Sequence, residues 1–186
     1  MTRISAFQLD REDAVVLVVD IQERLAAAMA ERERVIANSG HLIAAAKLLG
    51  VPTLLTEQYP KGLGPTAPEL RSALEPAPAI VKMTFDCCGE PTFAPVLEQT
   101  GRSTVIVCGM EAHICVLQTV LGLVAAGLTA HVAADAVCSR EPGNARTALE
   151  LLRDAGAVIT CTETVLFQLL GRAGTPEFKA IQQRIR

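Results

Sequence analysis

Residues 14–19 read AVVLVV, six consecutive apolar side chains, four of them valine, that stop abruptly at Asp20. A strand with one wet face alternates apolar and polar residues, so an unbroken β-branched run belongs to a strand covered on both faces. That requirement brings helices to both sides of a sheet, and the rest of the chain supplies them. Helical spacing follows from about Val35 to Leu49, with Leu42, Ile43, Ala46 and Leu49 on one face and Gly50 placed to stop it. Further short apolar runs read as strands at Val51 to Thr56, Ala79 to Lys82, Ser103 to Cys108, Thr129 to Asp135 and Ala157 to Thr162. Helices are expected at Thr92 to Gln99, His113 to Ala126 and Gly143 to Asp154, and near the tail, where Phe178, Ile181 and Ile185 share a stripe. Six strands alternating with helices predict a three-layer α-β-α fold around a six-stranded, mostly parallel, Rossmann-like sheet.

The chain of 186 residues fits a single domain, with a core at about 13–171 and a C-terminal helix at about 175–184. It is long enough to bury roughly 70% of its unfolded surface, so it folds without disulfides or metal. Half the residues are apolar and largely aliphatic, with five Phe, one Tyr and no Trp, a mix that lacks a base-stacking surface. The 17 basic and 20 acidic residues are interspersed, which argues against nucleic acid as a partner. The N-terminus has no apolar run of signal-peptide length, and no stretch reaches the ~18 apolar residues of a membrane span. The expectation is a cytoplasmic protein with no membrane partner. Six cysteines without CxxC pairs then read as buried or reactive thiols.

In such a sheet, ligands bind beyond the carboxyl ends of the strands, where the strand order reverses. That rule selects Asp20, Thr56 to Gln58, Lys82, Gly109 and, at the opening of the next helix, Cys115; Asp135 is a more peripheral candidate. A free thiol has a pKa of about 8.5 and is mostly protonated at neutral pH. A helix start and a nearby ammonium favour its thiolate, and a carboxylate can take its proton directly. The thiolate would attack a carbonyl carbon; the Asp would pass the proton to the leaving group and then activate water against the thioester. Each residue has a structural alternative: Asp20 as a cap, Lys82 as a solvated side chain, Cys115 as core. Asp20 and Lys82 are expected to line a crevice, so that replacing either removes turnover and spares the fold. His113 is expected to cap, wall the pocket or serve an interface, and His41 to lie on an exposed helix face. Gln58 and Glu111 are candidate substrate contacts, and their alternative is loop hydrogen bonding without a ligand.

Other constellations are missing: there is no GxGxxG after a strand, no GxxxxGK[ST], no GxSxG and no HExxH. The developing oxyanion needs fixed donors, and the amides of Glu111 and Cys115 are the expected pair, with Gly109 permitting the turn.

The motifs VVDIQER (18–24), LLTEQYPKGLGPT (54–66), VKMTFDCC (81–88), VCGMEAHICVLQT (107–119) and VAADAVCSR (132–140) resemble the nicotinamidase/isochorismatase cysteine-hydrolase superfamily. The subgroup they are most similar to is the isochorismatase domain-containing proteins. The resemblance runs from about Asp13 to Arg186. It implies Asp20 as general base, Lys82 as electrostatic partner and Cys115 as nucleophile, on a six-stranded parallel sheet, commonly in homo-oligomers of two or more copies. It also implies a cis peptide at Met110–Glu111 and a pocket wall at Phe85, with Cys87 and Cys88 as wall or core. Nicotinamidases carry an Asp-x-His…His metal cluster after the second strand, whereas TEQYPKGLGPT has no histidine, so no metal and no cofactor are expected. True isochorismatases lack the nucleophilic cysteine. The reading is a hydrolase of a small amide, carbamoyl or related C–N substrate. Its rivals are ether hydrolysis without use of Cys115 and a non-catalytic redox-sensing or protein-binding module.

Overall fold

A computed structural model describes residues 4–75 and 77–185; the outermost residues of the expected domain, 1–3 and 186, lie outside them. Among the described residues, six strands form one sheet in the order β3-β2-β1-β4-β5-β6, with every neighbouring pair parallel. The strands are β1 (Ala14–Val19), β2 (Thr53–Gln58), β3 (Ile80–Lys82), β4 (Thr104–Met110), β5 (Thr129–Cys138) and β6 (Val158–Thr160). The helices are α1 (Glu23–Ala27), α2 (Arg32–Leu49), α3 (Pro60–Leu63), α4 (Pro68–Leu74), α5 (Phe93–Gln99), α6 (Leu117–Ala125), α7 (Pro142–Asp154), α8 (Thr162–Leu170) and α9 (Pro176–Arg184).

The β1 run sorts its side chains by parity. Val16 and Val18 join Leu42, Ile43 and Ala46 of α2 and Val165 and Leu166 of α8 in one core. Val15, Leu17 and Val19 join Phe93 of α5, Val120 and Leu123 of α6 and Leu152 of α7 in the other. Two cores on opposite faces are what a run without polar residues requires.

Several boundaries differ from expectation. Strand β2 starts two residues later than the apolar run and continues through Glu57 to Gln58, which pairs with Lys82 of β3. Strand β4 likewise extends to Met110. Strand β5 runs on to Cys138 because its pairing with β4 is irregular: Val107 and Gly109 face Val132 and Val137. Asp135 lies inside this bulge instead of at a strand end. Its carboxylate accepts hydrogen bonds from the backbone N and Oγ1 of Thr162, at 2.8 and 2.9 Å, and so secures the start of α8. The expected helix from His113 begins instead as a wide turn, Ala112–Val116, in which the Val116 amide reaches back five residues to Glu111 O at 3.2 Å. Apolar periodicity cannot register one extra residue in a turn. His41 is half-buried on α2, not exposed, and its Nδ1 is buried without a partner among the described residues.

Candidate active site

Three strand ends converge on the α5–α7 side of the sheet. Thr56 and Gln58 continue the parity of Leu54, and Lys82 that of Ile80, so all three point to that face. Asp20 would by parity follow Val16 and Val18 to the opposite face. Its φ of +52° breaks the alternation and turns the carboxylate over Thr56. Such a conformation costs about 1–3 kcal/mol, less for Asp than for most residues, and survives where its surroundings enforce it. Gly109 beside it is obligatory: at its φ of +142°, an added Cβ would lie 2.1 Å from Val19 O.

The polar groups form one connected cluster. Thr56 Oγ1 donates to Asp20 Oδ1 at 2.7 Å. Lys82 Nζ lies 2.7 Å from Asp20 Oδ2, and both side chains are wholly buried. Nζ also donates to Gln58 Oε1 at 2.7 Å, Thr84 O at 3.3 Å and Phe85 O at 3.4 Å. The Cys115 Sγ sits 4.0 Å from the same Gln58 Oε1. Cys87 Sγ is 3.9 Å from Thr56 Oγ1, and the Cys87 amide donates to Thr119 Oγ1 of α6 at 3.0 Å. Gln22 clamps the Gln58 backbone from both sides: its Nε2 donates to Gln58 O at 3.0 Å and its Oε1 accepts from Gln58 N at 2.8 Å.

Burial governs the charges. It would push the Lys82 ammonium down, but the adjacent Asp20 carboxylate outweighs it and holds Lys82 above its ordinary value. Burial, with the negative charge of Asp20 next and Lys82 opposing, pushes the Cys115 thiol up to about 12. Cys87 is pushed up to about 11, first by burial. The expectation that the ammonium and helix start would yield a resting thiolate is therefore corrected. Desolvation wins, and the resting site holds a protonated thiol beside a carboxylate and an ammonium.

Asp20, Lys82, Gln58 and Cys115 thus meet, and the backbone of Phe85 joins them while its ring is half exposed. Glu111 starts the turn to Cys115, and the Met110–Glu111 peptide is cis. Its buried carboxylate is bound by Arg140, whose backbone N lies at 2.9 Å and Nε at 3.2 Å. It faces the end of β5. His113 Nδ1 contacts Ser139 Oγ at 2.8 Å, which ties the same turn to the same strand end. Thr119 and Gln22 enter the cluster without having been singled out from sequence, beside Thr56, which its strand-end place had selected; the signal available was a polar residue inside an apolar motif, as in VVDIQER. Among the described residues, no group of three or more His, Cys, Asp or Glu is placed to hold a metal. A cleft of about 870 Å³ opens at the amino ends of the strands near Asp13, Thr104 and Thr129. It lies at the opposite end of the strands, and the Asp13 carboxylate there is spent on Ser103 and Thr104.

A three-layer α/β protein with a carboxylate, an ammonium and a thiol gathered at the β1/β4 switch point has the architecture in which α/β proteins bind and act on small ligands. Residues 14–164 match the isochorismatase domain, and the chain belongs to that family of hydrolases. It is 37% identical over 177 residues to isochorismatase domain-containing protein 2 of Danio rerio, covering 95% of this chain and 88% of that one. Its fold is similar to the structure of a MAR1 ribonuclease from Caenorhabditis elegans, at a TM-score of 0.90 and 38% identity over 96% and 92% of the two chains. It is also similar to the YcaC gene product of Escherichia coli, described as an octameric hydrolase of unknown specificity, at a TM-score of 0.90 and 25% identity over 95% and 90%. Among the described residues, no helix is long and apolar enough to cross a membrane.

Proposed function

We propose that this chain hydrolyses a small amide, carbamoyl or related C–N substrate through a thioester on Cys115. The observation that carries the reading is the contact of three groups in one buried cluster: Asp20 Oδ2 lies 2.7 Å from the Lys82 ammonium, and the Cys115 thiol bonds the same carboxylate. A carboxylate in hydrogen-bond contact with a protonated thiol is placed to take its proton. Asp20 takes the Cys115 proton as Sγ bonds to the carbonyl carbon. The tetrahedral intermediate collapses as Asp20 returns that proton to the leaving nitrogen, and ammonia or an amine departs. A water molecule, deprotonated by Asp20, then attacks the thioester, and the thiol regains its proton as the acid product leaves. Lys82 compensates the negative charge that moves through the site. We assign the amides of Glu111 and Cys115 to the oxyanion and the ring of Phe85 to the substrate wall. No metal or cofactor enters any step.

Six free cysteines with no disulfide among them suit a reducing compartment, which supports a cytoplasmic site of action. The mild net charge of −3 favours a small molecule over RNA. We also take the chain to self-associate, as the octameric E. coli relative does. Light scattering should then return a multiple of the 19.7 kDa chain mass, and a monomer would reject it.

Cys115→Ala decides the chemistry. Ammonia release from an amide and carbamoyl panel should fall to background, and intact-mass spectra of the parent protein should show an acyl adduct that maps to Cys115. Full turnover in Cys115→Ala would instead establish a thiol-independent reaction such as ether cleavage. Oxidation of Cys115 by peroxide that a thiol reductant reverses, with no turnover on any substrate, would establish a sensor.

A further inference from the structure

We infer that Cys87 is a resolving thiol: when a peroxide oxidises Cys115, Cys87 captures the oxidised sulfur as a Cys87–Cys115 disulfide and keeps the nucleophile recoverable. The inference rests on Cys115 being the nucleophile, as read above, and not on which substrate bond is cleaved. Cys87 is a buried free thiol that the hydrolytic steps leave unused, yet it is linked to their base. Its Sγ donates to Thr56 Oγ1 at 3.9 Å, and that hydroxyl donates to Asp20 Oδ1 at 2.7 Å. The Cys115 thiol bonds the same carboxylate directly. One base therefore serves two thiols, Cys115 by contact and Cys87 through a hydroxyl that can accept one proton while donating another. Cys88, next in the chain, faces Asp86 instead, and its thiol is pushed up to about 12, first by burial and then by that carboxylate.

The backbone places Cys87 beside the nucleophile. Its amide donates to Thr119 Oγ1 at 3.0 Å, and Thr119 lies on α6 one helical turn beyond Cys115. Side chains four residues apart on a helix have Cβ atoms about 5–6 Å apart, so the turn at Cys87–Gly89 rests against the helix next to Cys115. Exposure separates the two roles: Cys115 keeps 5% of its surface and Cys87 none, so an oxidant meets Cys115 first. As Asp20 takes the Cys115 proton, Sγ bonds to the near oxygen of the peroxide, the O–O bond breaks, and the departing alkoxide or hydroxide leaves as alcohol or water with that proton. Cys115 is then a sulfenic acid. Burial holds the Cys87 thiol up to about 11, so it attacks only when its proton has somewhere to go. That proton passes to Thr56 Oγ1 as the Thr56 proton passes to Asp20. Cys87 Sγ bonds to the Cys115 sulfur, the S–O bond breaks, and hydroxide collects the proton from Asp20 and leaves as water. The peroxide is reduced by two electrons and the pair of thiols is oxidised by two.

Hydrogen peroxide is the probe. The intact protein is treated with an equimolar amount, blocked with iodoacetamide and mapped by mass spectrometry. The expected product is a Cys87–Cys115 linked peptide pair, which dithiothreitol returns to two thiols. A disulfide needs Cα atoms within about 7 Å, so its formation reports that approach directly. Cys87→Ser keeps a donor toward Thr56 Oγ1 and removes the sulfur. After peroxide and then dithiothreitol it should regain about tenfold less alkylatable Cys115 than the parent, the remainder standing as sulfinic acid. Circular dichroism verifies folding; if Cys87→Ser does not fold, Cys87→Ala takes its place, and the map of the parent protein decides without any variant. A parent whose Cys115 pairs with Cys88, or passes to sulfinic acid while Cys87 stays reduced, overturns the inference. Recovery in Cys87→Ser as complete as in the parent overturns it too, and so does oxidation of Cys87 in Cys115→Ala, because Cys87 would then react without the nucleophile. None of these readouts uses a substrate, so they stay distinct from failure of the hydrolase reading, which shows as turnover in Cys115→Ala.

Discussion

Lys82 is among the largest side chains in the protein with almost no accessible surface, and it is a charged one. Its ion pair with Asp20 is therefore structural as well as chemical. Taking one partner out of a buried pair leaves the other charge uncompensated and costs about 3–5 kcal/mol, whereas removing both is far less damaging. This corrects the expectation of a crevice in which charges could be removed at no expense to the fold. Lys82→Met should lower the unfolding free energy from urea titration by that amount and abolish ammonia release. Asp20→Asn combined with Lys82→Met should recover much of that free energy while turnover stays at background. A single Lys82→Met variant with wild-type stability would show that the pair is solvated in solution. At this scale the sequence told much: Asp20, Lys82 and Cys115 each stood at a strand end or helix start. Two things were hidden. The positive φ of Asp20, which Asp tolerates better than most residues, is accompanied by contacts with Thr56 and Lys82 that no local signal reports. The protonated state of Cys115 follows from its burial, which no spacing reports.

At the scale of elements, the site depends on how α6 meets the turn at Cys87–Gly89. Asp86 caps that turn, accepting from the Cys88 amide at 2.7 Å, and the Cys87 amide bonds Thr119 one helical turn beyond Cys115. Gly122 lets the two approach: an added Cβ would lie 2.7 and 2.8 Å from the Asp86 carboxylate oxygens and 3.0 Å from Cys88 Cβ. To yield that distance the Asp86 carboxylate has to turn away and give up its bond to the Cys88 amide. Gly122→Ala should destabilise by about 1–3 kcal/mol, the usual range for overpacking. It should also raise the rate at which Cys87 and Cys88 are alkylated relative to Cys108. Unchanged stability and labelling would mean that the turn relaxes freely and does not brace the site. Helices and strands were legible as blocks, because buried apolar periodicity survives in any single sequence. The wide turn before α6, the bulge in β5 and the extension of β2 to Gln58 were not, since each is a shift of one to three residues settled by cross-strand pairing.

For the molecule as a whole, the sequence carried the architecture because a fully apolar β1 admits few partners: it must lie centrally, and it does, between β2 and β4. Its order relative to the other strands came only with the structure, as parallel crossovers of similar length permit more than one. The same sealed interior sets the response to alkali. Cys108, on the α2 side of the sheet, has its thiol pushed up to about 12 by burial, and Cys87 and Cys115 on the other side are pushed up to about 11 and 12. In the unfolded chain these thiols ionise near the ordinary value of 9.0. Between pH 9 and 11 the unfolded state therefore releases protons that the folded state retains, and stability falls as pH rises. Each fully buried thiol contributes a slope of up to about 1.4 kcal/mol per pH unit. Denaturant midpoints should accordingly hold steady from pH 7 to 8 and decline from pH 9 upward. Cys108→Ala isolates one contribution far from the catalytic cluster. It should lower stability at pH 7 through the space it leaves, yet flatten the alkaline decline by one thiol's share. A decline of unchanged steepness in Cys108→Ala would place the alkaline sensitivity elsewhere, in the Asp20–Lys82 pair or at an interface between copies.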